Sequence, residues 1–152
     1  MRAELLTIGS ELTSGVTINT NAAFLGRRLA EVGIACDRQS TVSDGRTFLQ
    51  QAIKEALGRC DLLIMTGGLG PTFDDVTIEV LASTIDRPLQ LVPAAAKHVR
   101  RFYARRHRPL QQAALRQAQL PKGATALPNP IGTAPGVWMR VSNQLIVALP
   151  GV

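Results

Sequence analysis

The stretch from Asp61 to Asp75, DLLIMTGGLGPTFDD, joins a short apolar run to a glycine-rich turn and an acidic pair. The apolar run, residues 62–65, has no alternation with polar residues, which is typical of a central parallel strand covered by helices on both faces. Glycines directly after such a strand let backbone N–H groups approach an anion, and open α/β sheets bind ligands beyond the carboxyl ends of their strands. The pattern therefore predicts a phosphate site formed by Thr66, Gly67, Gly68 and Gly70.

Asp74 and Asp75 follow this turn and are expected to open a helix at residues 76–85. A carboxylate at a helix start can cap the helix, but it would repel a bare phosphate. A divalent cation between the two would let one pocket hold both groups. The simpler alternative is a tight turn with an N-cap Asp. The stretch fits neither a P-loop, whose Lys-Ser/Thr it lacks, nor the dinucleotide fingerprint, whose third glycine it lacks.

Polar residues follow two further predicted strands. The first strand ends in Gly9, Ser10 and Glu11, and the second ends in Asp44. Because parallel strands put their carboxyl ends on one edge of a sheet, the acids are expected to converge beside the glycine turn. Glu11, Asp44, Asp74 and Asp75 could hold Mg²⁺ or another hard cation through oxygen ligands, although each acid alone could be an ordinary turn or cap residue.

The order of elements predicts the fold class. Three strand–helix units extend to Ile85, and Thr20 or Asn21 is expected to cap the first helix. The second helix, residues 47–57, is expected to turn Phe48, Ala52 and Ile53 inward. A basic helix, a shorter helix at Gln111 to Gln119 and three short strands follow, and Ser142-Asn143 is expected to turn a final hairpin. This order predicts a three-layer α/β/α sandwich whose mostly parallel sheet carries an antiparallel edge strand.

Length and composition fit a single domain covering residues 1–152, with 45% hydrophobic residues. No apolar run approaches the ~20 residues of a membrane span and no signal-peptide pattern opens the chain, so we expect a cytoplasmic protein without a membrane partner. Cys36 and Cys60 lack metal-ligand spacing and are expected to be reduced.

Charge is divided along the chain. All eleven acids lie at or before Asp86, whereas ten of the seventeen basic residues lie after it, so the two parts carry −4 and +10. Six of these positive charges fall within KHVRRFYARRHR, Lys97 to Arg108. Such a face could attract nucleic acid, but a solvated face or an oligomer contact is favoured, because aromatic residues are only 4% of the chain and no recognition motif is present.

Five ordered segments resemble the amino-terminal domain of the CinA (competence-damage inducible) family, within the molybdopterin-binding superfamily that includes MogA and MoaB. They are GSELTSGVTINTN, TVSD, TGGLGPTFDDVT, RQAQLPKGATALPNPIGTAPGV and LPG. The resemblance implies a mixed five-stranded sheet and a phosphate pocket at the TGG turn. It implies a catalytic role for Asp44 and Asp75, the phosphate loop at the three glycines and the first ligand loop at Ser10 and Glu11. The loop that closes the pocket would be Gly132, Thr133, Ala134, Pro135 and Gly136.

For the CinA branch, the resemblance implies metal-dependent hydrolysis of a nucleotide diphosphate, notably ADP-ribose to AMP and ribose 5-phosphate. Asp75, with Asp44 or Glu11, would hold the metal. Molybdopterin binding or adenylylation, which uses the same loops on a phosphorylated pterin, stays open as an alternative, as does a non-catalytic scaffold. The resemblance also implies a homo-oligomer, a dimer or trimer. The deamidase domain that often follows in CinA proteins is expected to be absent.

Overall fold

The computed structural model describes residues 1–151 as a central six-stranded sheet with helices on both faces, beside a separate two-stranded sheet. The strands are β1 (Arg2–Ile8), β2 (Ala35–Val42), β3 (Leu62–Thr66), β4 (Leu89–Leu91), β5 (Gln119–Pro121), β6 (Thr125–Leu127), β7 (Gly136–Val141) and β8 (Gln144–Leu149). The helices are α1 (Ser10–Thr13), α2 (Thr20–Glu31), α3 (Arg46–Leu57), α4 (Thr77–Thr84), α5 (Pro93–Arg105) and a 3-10 helix (Gln112–Ala118).

The large sheet has the strand order β2-β1-β3-β8-β7-β6. β2, β1, β3 and β8 are mutually parallel, and β7 is antiparallel to both of its neighbours. In β3, all five residues are buried, as the apolar run predicts for a central strand. The carboxyl ends of β1, β2, β3 and β8 therefore lie together on one edge of the sheet.

Side chains of alternating residues divide the core into two layers. On β3, Leu62 and Ile64 pack with Leu29 of α2 on one face of the sheet. Leu63 and Met65 pack on the opposite face, in the larger core that α3, α4 and α5 cover. Helices on both faces of a mostly parallel sheet confirm the three-layer α/β/α class.

Two details of the sheet differ from the sequence-based expectation. It has six strands rather than five, because the three residues Thr125–Leu127 pair with β7. The antiparallel strand is consequently β7, one position in from the edge. The stretch expected as a helix at Gln111 to Gln119 is a 3-10 helix that leads into β5, which pairs with β4 outside the main sheet.

Helix boundaries and faces also differ in places. The cap of α2 is Asn19, whose side chain accepts a hydrogen bond from the Ala22 N–H, rather than Thr20 or Asn21. In α3, Leu49 and Ile53 are fully buried, whereas Phe48 is 67% exposed although its apolar type suggested the core. Phe48 and Leu49 are adjacent, so a shift of one residue decides which of them faces the sheet. Among residues 1–151, no helix combines the length and apolar character that crossing a bilayer requires.

One carboxylate ties three elements together on the side of the sheet that α4 covers. Glu79 of α4 accepts hydrogen bonds from Arg46 at the start of α3 and from Arg116 of the 3-10 helix, each at 2.5 Å. These two guanidinium groups, that of Arg46 first, lower the pKa of Glu79 below its ordinary value. A depressed carboxyl pKa means that the ionised form stabilises the fold.

We therefore expect Glu79→Gln to lower the free energy of unfolding at pH 7 by about 0.5–1 kcal/mol, since Glu79 and its two arginine partners are partly exposed. The folded pKa lies below the unfolded value, so this contribution is complete above the unfolded pKa and is lost as pH falls through the folded one. Urea denaturation of both proteins between pH 7 and pH 3 measures it. Glu31→Gln, which removes a more exposed pair with Arg28, serves as the control. A stability difference that does not shrink with acidification would contradict the assignment.

Candidate functional site

A cavity of about 870 Å³ opens at the edge of the sheet where β1, β2, β3 and β8 end. It brings together most of the residues that the sequence singled out. Its lining includes Gly9, Ser10, Glu11, Asp44, Thr66, Gly67, Gly68, Gly70, Asp74, Asp75, Thr133 and Ala134. Gly132, Pro135 and Gly136 of the predicted closing loop lie outside this lining. The strand ends therefore converge as the parallel sheet requires.

The glycine turn after β3 has a backbone that other residues could not adopt in this packing. Gly67 and Gly68 have φ of +106° and +66°, in the region that favours glycine. A Cβ on Gly67 would lie 2.1 Å from the backbone oxygen of Ile8, and one on Gly68 would lie 2.3 Å from Thr77 Oγ1. The sequence-based argument assigned these glycines to the approach of a ligand, but the first clash is with the protein itself.

Asp44 joins the loops after β2 and β1. Its Oδ2 accepts hydrogen bonds from the backbone N–H of Ser10 at 2.9 Å and from the Ser10 hydroxyl at 2.8 Å. A carboxylate oxygen that receives two donors is fixed in orientation. Both bonds end on Oδ2, and Oδ1 has no hydrogen-bond partner among residues 1–151.

Asp75 has a matching role in the loop between β3 and α4. Its Oδ2 accepts hydrogen bonds from the Thr72 N–H at 2.9 Å and from the Thr72 hydroxyl at 2.5 Å. The helix begins at Thr77 with Val76 at the N-cap and no side-chain cap bond. Asp75 is thus not an N-cap, although the helix follows the acidic pair within one residue of the expected start. The carboxylate instead closes its own loop and, like Asp44, leaves Oδ1 free.

The cavity is negatively charged. Four carboxylates line it, those of Glu11, Asp44, Asp74 and Asp75, and its lining among the described residues includes no lysine or arginine. The ion pairs of residues 1–151 use other acids, namely Glu4, Glu31, Glu55 and Glu79. A phosphate held by the glycine turn would be repelled by these carboxylates unless a cation accompanied it.

The carboxylates do not form a preassembled cage. Within residues 1–151, no three His, Cys, Asp or Glu side chains are grouped closely enough to hold a metal ion by themselves. Glu11, Asp44 and Asp75 share the cavity without forming such a group. This arrangement still fits Mg²⁺, which commonly uses one or two carboxylates and completes its shell with substrate phosphate oxygens and water.

Asparagines supply a wall of the cavity that the site prediction missed. Asn19 Nδ2 donates to the hydroxyls of Thr7 at 2.7 Å and Thr41 at 3.1 Å. Asn21 Nδ2 donates to the Thr66 hydroxyl at 3.1 Å, beside the glycine turn. The signal was present in the NTN end of the first motif, but helix capping was the only role assigned to it.

Gln117 was also missed. Its side chain is 6% exposed, and its Nε2 donates to the Thr133 hydroxyl at 3.0 Å, which holds the loop between β6 and β7 against the cavity. Its Oε1 is buried and has no hydrogen-bond partner among the described residues. A glutamine in a polar 3-10 segment gave no signal of this role in the sequence.

The fold is that of the molybdopterin-binding domain family. The sequence model of the family described as "probable molybdopterin binding domain" matches residues 4–152, so the chain belongs to that family. A crystal structure of CinA, a protein of unknown function from Thermoplasma acidophilum, superimposes with a TM-score of 0.93 and 36% identity, covering 99% of this chain and 88% of that one. The chain is therefore a member of the CinA branch.

Two further comparisons set the limits of this assignment. A CinA-like protein of Salinibacter ruber is 45% identical over 153 residues, which cover the whole of this chain and 37% of the relative. The chain spans 36–59% of the lengths of the curated relatives that it matches first. The molybdopterin biosynthesis enzyme MoaB of Thermus thermophilus superimposes with a TM-score of 0.67 at 21% identity, over 99% of this chain and 81% of that one, and shows the fold alone.

The glycine turn yields a stability prediction. Gly67→Ala should lower the free energy of unfolding by about 2–5 kcal/mol, since it adds a close contact with the Ile8 carbonyl to the strain of a positive φ. Gly123→Ala is the matched control, because Gly123 has φ +89° and nothing within 4 Å of its ideal Cβ position. Gly123→Ala should lower the free energy of unfolding by only about 1–2 kcal/mol. Equal losses in urea denaturation would show that the Ile8 contact is unimportant.

Proposed function

We propose that this domain hydrolyses a nucleotide diphosphate, with ADP-ribose as the representative substrate and AMP and ribose 5-phosphate as products. One observation carries the proposal: a glycine turn suited to phosphate shares a cavity with four carboxylates. Among residues 1–151, no lysine or arginine side chain pairs with these carboxylates. A diphosphate accompanied by a divalent cation satisfies both features, whereas an uncharged ligand would leave the carboxylates without a counterion.

The chain's own groups have separate tasks in this reaction. Backbone N–H groups of the glycine turn bind phosphate oxygens and orient the diphosphate. One of Asp44 and Asp75, each fixed by two hydrogen bonds on Oδ2, would hold the cation through Oδ1. Mg²⁺, when bound, would neutralise charge on the phosphate oxygens and favour ionisation of a nearby water.

The carboxylates also handle the proton. The other aspartate orients a water and accepts its proton through Oδ1 as the water oxygen bonds to phosphorus. The bond between that phosphorus and the bridging oxygen breaks, and the bridging oxygen leaves on the other phosphate. Both products are monophosphates, and no redox step is needed.

A second candidate is binding or adenylylation of molybdopterin. It is favoured by the family description, and a phosphorylated pterin would present its phosphate to the same glycine turn. The carboxylate arrangement does not separate the two ligands, because adenylylation also needs a cation beside phosphate. The distinction is therefore chemical: release of AMP from ADP-ribose belongs to the first proposal only.

The test is an assay of AMP release from ADP-ribose with Mg²⁺, with Mg²⁺ removed by chelation, and in Asp44→Asn and Asp75→Asn variants. Each amide keeps the size of the side chain but removes the charge that a cation needs. We expect turnover to fall by about 10²-fold or more in either variant and to cease on chelation. Asp37→Asn, at an exposed position outside the cavity, should retain wild-type turnover.

Three results would contradict the proposal. Full activity in both cavity variants would show that the two aspartates serve only to hold their loops. Absence of AMP release from wild-type protein, together with saturable binding of molybdopterin, would favour the second candidate. Binding of neither ligand would leave a non-catalytic domain.

A further inference from the structure

A second pocket lies beside the main cavity, at the end of α5. It has a volume of about 210 Å³ and is lined by Phe102, Tyr103, Arg106, Arg108 and Thr133. We call it the arginine pocket. Thr133 also lines the main cavity, so this residue borders both spaces. The arginine pocket is formed by residues that the proposed hydrolysis does not use.

The charge of this pocket is positive and unbalanced. Within residues 1–151, neither Arg106 nor Arg108 forms an ion pair, and every acid of the chain lies at or before Asp86. Arginines at a helix end are commonly explained by the partial negative charge there. That charge is only about half an elementary charge, whereas Arg105, Arg106 and Arg108 carry three positive charges. Most of the positive charge is therefore available to an anion.

One of the two arginines, Arg106, is also partly ordered before any ligand binds. The guanidinium of Arg106 lies 4.3 Å from the centroid of the Phe102 ring, a cation–π arrangement that limits its orientations. Tyr103 lines the same pocket and adds an aromatic wall. A planar guanidinium fixed in this way matches the oxygens of a phosphate through paired hydrogen bonds.

Thr133 supplies a further donor. Because Gln117 Nε2 donates to Thr133 Oγ1 at 3.0 Å, the threonine's own O–H is free to donate elsewhere. The adjoining Gly132 carbonyl is held by His98 of α5, with Nε2 at 3.0 Å. The loop is thus fixed to α5 and to the 3-10 helix, which places its hydroxyl group between the two cavities.

We propose that the arginine pocket is a second anion site, which binds the phosphate group of a small phosphorylated ligand independently of the glycine turn. Arg106 and Arg108 neutralise the phosphate, the Thr133 hydroxyl donates to one of its oxygens, and the Tyr103 ring contacts any aromatic base attached to it. The phosphate needs no metal here, in contrast to the carboxylate-lined cavity.

The test is an NMR titration of the full chain with inorganic phosphate and, separately, with AMP, both without divalent cations. Saturable shifts are expected in the amides of Tyr103, Arg106, Arg108 and Thr133. In the double variant Arg106→Gln/Arg108→Gln, the dissociation constant should rise at least tenfold for both probes. The matched control is Arg100→Gln/Arg101→Gln, which removes the same charge from α5 outside the pocket and should change it less than threefold.

The two probes distinguish free phosphate from a nucleotide. Tighter binding of AMP that disappears in Tyr103→Leu supports a nucleotide held by its base, whereas equal affinities support the phosphate group alone. Shifts confined to residues 67–70, equal weakening in both double variants, or no saturation with either probe would overturn the proposal. The titration uses no cation and no turnover, so its outcome does not depend on the proposed hydrolysis.

Discussion

The close approach of the β3 turn to the end of β1 is the constraint on which the site depends. A Cβ at Gly67 would lie 2.1 Å from the Ile8 oxygen, so only glycine allows the two strand ends to meet. The turn is held from further sides: the Gly67 N–H donates to the Leu149 carbonyl at 3.1 Å, and Thr77 Oγ1 donates to the Gly67 carbonyl at 2.8 Å. Three elements thus fix one backbone conformation, which orients its N–H groups before any ligand binds.

The negative charge of the cavity follows from the convergence of the strand ends. Once parallel strands bring their ends together, the acids that follow them must share one cavity. Asp44 and Asp75 tolerate this proximity because each is bound by a backbone N–H and a hydroxyl of its own or a neighbouring loop. These carboxylates would repel a phosphate bound at the glycine turn, and a bound cation would relieve that repulsion. Positive side chains lie instead on α5 and in the segment that follows it, residues 97–108, outside the carboxylate-lined cavity.

The parts of the fold that carry a plain local signal, such as an apolar run or a cluster of glycines, could be predicted from the sequence. The buried run of β3, the glycine turn and the convergence of strand ends were all predicted, because parallel pairing leaves little freedom in where the strand ends lie. Details set by single contacts could not: Leu49 rather than Phe48 faces the core, and Asp75 binds Thr72 rather than the helix start. Gln117 reaches the cavity only through the tertiary packing of its segment, so local sequence gave no signal of its contact with Thr133.

The most direct test of the central claim is a crystal structure with Mg²⁺ and an ADP-ribose analogue whose bridging oxygen is replaced by a methylene group. The account predicts phosphate oxygens within hydrogen-bonding distance of the backbone N–H groups at residues 68–70, with the cation bound to Asp44 or Asp75. A diphosphate bound away from the glycine turn, or a cation that contacts neither aspartate, would contradict it.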